Sequence, residues 1–340
     1  MIIDLPATTT SAISKRMVDL RLSGGVVALG RVLTLLIVTD DGDAEAAIEA
    51  ANAASSEHPC RVLVLAVGSR RGSPRLDCQI RVGGDAGASE VVVLRMYGEL
   101  AAHPASIVVP LLLPDTPIVT WWPGDPPTQP STDPLGAMAQ RRITDSSTAK
   151  RPSAALARLA ACHTEGDTDL AWTRITRWRT LLAAALDQPP FEPVTSAVVT
   201  GASDSPSSDL LAAWLAWSLR CPVQRKKTKA GTGMAAVRLE RASGPVELAR
   251  PGGNIATLTQ PGQPPRRVSL QRRATDDCLA EELRRLDPDD VLADVLREGL
   301  DMMADAGRTT VKAATAGAAA STRVPTAVSA KTLDRRQEKK

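Results

Sequence analysis

The segment "VVTGASDSPSSDLL" (198–211) joins an apolar run, a serine-rich turn and a helical pattern. A strand that delivers such a turn to a helix N-terminus presents unpaired backbone N–H groups and the positive end of the helix dipole to an anion. Ser205, Ser207 and Ser208 are the candidate anion-binding residues, and a sugar phosphate is the ligand this chemistry would suit. Asp204 and Asp209 oppose that reading by charge, and helix capping by Ser207 or Ser208 accounts for the same residues with nothing bound.

Other chemistry is sparse. There is no GxxxxGK[ST] loop, no GxGxxG between a strand and a helix, and no GxSxG or HExxH. "GTG" (231–233) precedes a strand and reads as a hairpin turn. His58 and His103 each precede a proline with no ligand partner at metal spacing, and adjacency of Cys162 and His163 does not make a nucleophile–base pair. No catalytic, cofactor-binding or metal-binding residue is assigned, and no cofactor is expected.

"TWWPGDPP" (120–127) raises a different chemistry, because the chain has only six Trp, one Tyr and one Phe. On a strand, Trp121 and Trp122 point to opposite faces. One ring fills the core, while the other faces the opposite layer or a protein partner, and the prolines hold the exit rigid. Trp and Arg lead the residues that anchor interfaces. The expected partner-binding set is therefore Trp121, Trp122 and Asp125, continuing to Arg141 and Arg142 of "QRRITDSS".

These groups must be positioned by a chain of 340 residues with 43% hydrophobic and 23% charged residues, an ordinary globular composition. No run reaches the roughly 20 apolar residues of a membrane helix, and "MIIDLPATTT" lacks the basic start and apolar stretch of a signal peptide. The expectation is a soluble cytoplasmic protein that binds neither membrane nor nucleic acid. The net charge is +3, but residues 308–340 carry eight Lys/Arg against Asp334 and Glu338, leaving −3 for the rest. That tail reads as disordered. The five cysteines form no CxxC pair, which argues against a disulfide framework or a zinc site, and they read as small buried hydrophobes in a reducing cytosol.

Periodicity supplies the elements. "RVLTLLIVTDD" (31–41) and "CRVLVLAVG" (60–68) are apolar runs of strand length flanking a helix that starts near Asp43, a βαβ unit with a parallel pair. "RLDCQIRVGG", "SEVVVLRMYGEL" and "PIVTWW" add strands; residues 123–150 read as an irregular Pro-rich stretch. Further on come a helix over 168–186, a strand at 195–201, a helix at 205–220 and alternating runs over 234–273 that read as antiparallel hairpins. Two helices close the fold, the second capped by Asp287 with Pro288 at its first position. Thr34, Val38, Thr39, Asp43, Ala51, Cys60 and Val62 each meet an identical residue 161 positions later. The predicted class is α/β with two α/β domains of mixed sheets, 1–150 and 151–307. A strand–helix–strand unit is repeated in both, and the second carries extra hairpins.

Taken together, "IIDLPATTTSAISK", "EHPCRVLVL", "TPIVTWWPGDPP", "RRITDSS" and "DPDDVLADVLREGL" resemble the actinobacterial family of glucose-6-phosphate dehydrogenase assembly proteins (OpcA). The resemblance runs from residue 1 to about 303. It implies a non-enzymatic partner, an assembly factor and allosteric activator of the dehydrogenase that opens the oxidative pentose phosphate pathway. Glucose 6-phosphate and NADP would be bound by that enzyme. The family includes members described as redox-responsive through cysteines, and no such pair is matched here. The contrasting function is an enzyme or sensor that binds a sugar phosphate at the 201–209 turn.

Overall fold

The computed structural model describes residues 1–23, 32–55, 59–83 and 90–303. The basic tail, Gly24-Gly25 and His58 lie outside the described residues. The first half runs β1 (Ile2–Leu5), α1 (Thr10–Ser23), β2 (Leu33–Asp40), α2 (Ala44–Ser55), β3 (Cys60–Val67), β4 (Arg75–Arg81), β5 (Glu90–Tyr97), α3 (Pro104–Val108), β6 (Ile118–Trp121) and β7 (Arg141–Thr144). Then come α4 (Pro152–Cys162), β8 (Asp167–Asp169), α5 (Leu170–Thr173), α6 (Thr176–Leu186), β9 (Ser196–Ala202), α7 (Pro206–Leu219) and β10 (Val223–Thr228). The chain closes with β11 (Met234–Glu240), β12 (Val246–Ala249), β13 (Ile255–Gln260), β14 (Gln263–Ser269), α8 (Thr275–Arg284) and α9 (Asp290–Asp294), which runs on as a π-helical turn over Val295–Gly299.

The fold is α/β with two mixed sheets. The first has eight strands in the order β1-β4-β5-β3-β2-β6-β7-β8, and the second has six in the order β10-β9-β11-β12-β13-β14. In the first sheet β5, β3, β2, β6, β7 and β8 are mutually parallel, while β1 and β4 run antiparallel at one edge. Numbered along the chain, the parallel strands follow 3-2-1-4-5-6, the doubly wound order.

Both faces of this sheet are covered, which is why its central strands read as unbroken apolar runs. Leu33, Leu35 and Ile37 pack with Ala47, Ile48 and Ala51 of α2 and with Cys278, Leu279 and Leu283 of α8. Leu36, Leu63 and Leu65 face the other way, toward Ile13 and Met17 of α1 and Ile107 and Val108 of α3. The first sheet thus takes β8 from beyond residue 150, and α8 returns from near the C-terminal end to cover it. Among the described residues the second sheet is packed on one face only. Val199, Val237, Leu239, Leu248 and Leu258 meet helices through Trp178, Leu182 and Leu211, while Arg238 on the opposite face pairs with Glu240 and Glu247 near solvent.

The strand–helix–strand unit occurs twice. β2 and β3 are parallel neighbours, as are β9 and β10, and each pair is joined through its helix. The hairpins expected over 234–273 are β11 to β14.

Four local expectations are corrected. β7 crosses the stretch read as irregular; a strand spelled Arg-Arg-Ile-Thr is buried because acidic partners elsewhere neutralise its arginines. The single helix expected over 168–186 begins instead as β8, because Asp169 ends the strand by capping α5, and the helix breaks between α5 and α6. The cap of α7 is Ser205, with Pro206 in the first turn, rather than Ser207 or Ser208. Asp289, not Asp287, caps α9, its carboxylate accepting from the Leu292 N–H at 2.9 Å.

Candidate functional site

Each strand–helix–strand unit aims a helix N-terminus past the carboxyl end of a parallel strand. In a doubly wound sheet ligands bind there, where the strand order reverses; in the first sheet that point lies between the adjacent strands β2 and β6. The order implies a dinucleotide site at the β2–α2 turn, so its residues decide whether one fits. The turn reads Asp40-Asp41-Gly42-Asp43, and Glu45 follows in the first turn of α2. Arg95 Nε donates to Asp41 at 3.0 Å, and Arg81 holds Glu45 at 2.6 and 2.9 Å. The Arg81 hydrogen bond pulls the Glu45 carboxyl below the ordinary glutamate value. Carboxylates at a helix N-terminus are stabilised by its dipole, and they occupy electrostatically the place a pyrophosphate would take. A Cβ on Gly42 would meet nothing within 4 Å, so this glycine keeps no space clear for close backbone approach. The turn does not fit a dinucleotide.

The second unit has different chemistry. Ser205 Oγ accepts from the Ser208 N–H at 3.3 Å, and Ser208 Oγ donates back to it at 3.0 Å. Ser208 is fully buried beneath the turn, so close to β9 that a Cβ on Gly201 would lie 2.4 Å from its Oγ. Ser207 Oγ donates to the Ala171 carbonyl at 2.8 Å, tying the turn to α5. The two opposing acids are both engaged. Asp204 accepts from the Gly231 N–H at 3.0 Å, and Asp209 accepts from Arg225 Nε at 2.8 Å. Burial pushes the Asp209 carboxyl up, with Arg225 opposing.

Before this turn lies a cavity of about 100 Å³ lined by Ser205, Ser207 and four arginines: Arg174, Arg250, Arg272 and Arg273. Two of the three candidate serines therefore reach it, and Ser208 does not. The arginines come from three separate parts of the chain, Arg272 and Arg273 being adjacent, and no local motif marks them.

The expected partner-contact residues fall mainly inside the body. Trp121 is 1% exposed and Trp122 3% exposed. Trp121 packs with Val119, Ile143 and Leu279, while Trp122 lies beside Gly136. Arg141 donates to Glu282 at 2.5 Å and to the Asp287 carbonyl at 2.7 Å, fastening β7 to α8 and the loop beyond it. Arg142 pairs with Asp167 and donates to the Ala139 carbonyl at 3.0 Å. These four side chains are buried in the folded chain and engaged with neighbours inside it. Asp125 alone of the five is exposed.

Next to them is a buried polar cluster that the sequence did not reveal. Asp169 accepts from Thr144 Oγ1 at 2.8 Å and from the Ser146 and Ala171 N–H groups at 2.9 Å. Burial, then the nearby Asp145 charge, push its carboxyl up. Asp145 in turn holds Arg174 in a two-pronged pair. Every acid here is matched to a donor within the fold, so the cluster reads as a joint. Among the described residues no group of three His, Cys, Asp or Glu could hold a metal, and no helix is long and apolar enough to cross a membrane.

Comparison with known proteins supplies the relationship. A family model of the OpcA assembly type, described as the N-terminal domain of the glucose-6-phosphate dehydrogenase subunit, matches residues 51–161. A second, described as the C-terminal domain of the same subunit, matches residues 165–296. The chain belongs to the OpcA family of glucose-6-phosphate dehydrogenase assembly proteins. No curated protein matches this OpcA-family chain in sequence. Among solved structures it is similar to KijD10, a 3-ketoreductase from Actinomadura kijaniata in complex with NADP, at 10% identity and TM-score 0.44, over 80% of this chain and 97% of that one. It is similar to myo-inositol 2-dehydrogenase from Lactobacillus plantarum at 9% identity and TM-score 0.40, over 83% and 97%. Glucose-6-phosphate 1-dehydrogenase from Mycobacterium avium follows at 11% identity and TM-score 0.39, over 78% and 90%. These likenesses are too distant to inform ligand or activity. The two family matches leave a gap at 162–164, from the last residue of α4 into the link to β8.

Proposed function

We propose that this chain is a non-catalytic partner of glucose-6-phosphate dehydrogenase that favours the active oligomer of that enzyme, in the cytoplasm of an actinobacterium. Two family models named for a subunit of the dehydrogenase, together spanning most of the chain, carry the reading. The β2–α2 turn supports it: carboxylates stand where a dinucleotide-binding sheet places its phosphate-binding glycines. On this reading NADP and glucose 6-phosphate belong to the enzyme, and the chain acts on its conformational equilibrium in the oxidative pentose phosphate pathway.

A partner can shift that equilibrium only by binding one state more tightly than the other. Linkage then makes the effect reciprocal: sugar phosphate must tighten the complex by the same factor by which the complex tightens sugar phosphate. A coupling of about 1–3 kcal/mol, roughly 5–150-fold, is expected. Measuring the chain's affinity for purified dehydrogenase with and without saturating glucose 6-phosphate tests it. Equal affinities reject the coupling.

A further inference from the structure

The cavity before α7 carries more positive charge than the fold uses. Arg174 is satisfied by Asp145, and Arg273 by Glu281 and the Thr173 carbonyl, although the Arg273 Nε has no acceptor among the described residues. Arg250 is different. It is 7% exposed, and its two terminal nitrogens donate only to neutral carbonyls, Leu270 at 2.7 Å and Met234 at 3.0 Å. Its Nε is buried with no acceptor, and among the described residues no carboxylate pairs with it. The Trp178 ring lies 5.2 Å away. Burial, and then the charge of Arg272, pull Arg250 below the ordinary guanidinium value. Arg272 is exposed and also has no acidic partner among the described residues.

A buried guanidinium without a counter-charge is costly, and a second cation beside it adds to the cost. The N-terminus of the 14-residue α7 contributes positive potential at the same place. Asp204 is the sole carboxylate lining the cavity among the described residues, and the Gly231 N–H engages it. We propose that this cavity binds a phosphate group, as inorganic phosphate or as a phosphate monoester, through Arg250, Arg272 and Arg273 with Ser205 and Ser207 at the helix end. Planar guanidinium forks match phosphate oxygens in pairs. At about 100 Å³ the cavity has room for a phosphate group. The remainder of a monoester would extend toward the exposed Arg272.

Calorimetric titration of the full chain with inorganic phosphate, glucose 6-phosphate and uncharged glucose tests the site. Saturable binding of one or both phosphates, and none of glucose, is expected. Glucose 6-phosphate binding tighter than inorganic phosphate identifies the monoester as the ligand; equal binding identifies the phosphate alone. Arg272→Gln leaves no buried group unpaired and should weaken binding roughly tenfold or more, the loss of one charge-assisted contact. Arg250→Gln, with its thermal midpoint recorded to show that it folds, should bind still more weakly. Absence of saturable heat at millimolar phosphate or glucose 6-phosphate overturns the proposal, as does wild-type affinity in Arg272→Gln. The titration contains no dehydrogenase, so its failure would leave the assembly role standing.

Discussion

The two strand–helix–strand units build the same geometry and load it with opposite charge. β2 feeds α2 through Asp40-Asp41-Gly42-Asp43, and β9 feeds α7 through Ser203-Asp204-Ser205. The first turn meets solvent with carboxylates; the second closes its cap on itself and faces four arginines gathered from elsewhere. A parallel strand pair and its crossover fix where a helix N-terminus points. They leave open what that end binds, which side chains from the turn and from distant segments decide. Topology suggests a dinucleotide at the first turn and local chemistry refuses it. At the second, topology is silent and the chemistry suits an anion.

The halves also differ in how they hold together, and the largest expected effects break that difference. Arg141 and Glu282 fasten the first sheet to α8 within the core. Glu282→Ala leaves the Arg141 cation buried without a counter-charge, which should cost about 3–5 kcal/mol in chemical denaturation. Trp121→Ala, also in this core, should cost a similar ~3–5 kcal/mol. If Trp121→Ala instead keeps full stability and loses only partner affinity, the ring is an interface anchor after all.

Thiols sharpen the contrast next. Cys78 lies on β4 of the first sheet and Cys278 packs against that sheet from α8; burial pushes them up to about 12 and about 11 respectively. The unfolded chain therefore releases these protons at lower pH than the folded one. Their contribution is complete below the ordinary thiol value and is lost as pH rises toward the folded values. Stability should fall by about 1.4 kcal/mol per pH unit for each thiol above about pH 9, and Cys278→Ala should remove one share of that slope. In the native state Cys162 and Cys221, which are half-buried, should react with a thiol reagent before Cys60, Cys78 and Cys278.

The turns themselves should show smaller effects. Ser205→Ala removes the cap of α7 and should cost about 1 kcal/mol. Asp125→Ala, on the exposed loop after Trp122, should change stability by less than ~0.5 kcal/mol. Its readout is affinity for the dehydrogenase, and an unchanged value removes this loop from the contact.

Legibility follows the range of the interactions. The apolar runs of β2, β3 and β5, the hairpins of the second sheet and the repeated unit are readable because each is local and periodic. β7 and β8 are not, because "RRIT" looks like loop and "DTD" like the start of a helix until Glu282 and Asp167 neutralise the arginines and Asp169 caps α5. The tryptophan pair signals a large buried surface correctly, and its assignment to a partner is not supported by where the rings lie. Ser205 and Ser207 are visible from the turn. Arg250 and Arg272 are not, because a cavity assembled from distant segments leaves no spacing to read.

The most direct test of the assembly role is titration of the purified chain into purified glucose-6-phosphate dehydrogenase, recording NADPH formation and solution mass on the same samples. The chain alone should show no turnover. The enzyme's turnover should rise saturably, tracking the appearance of a heavier species containing both proteins. NADPH formation by the chain alone, or a dehydrogenase whose turnover and mass are both unmoved at saturation, would contradict that role.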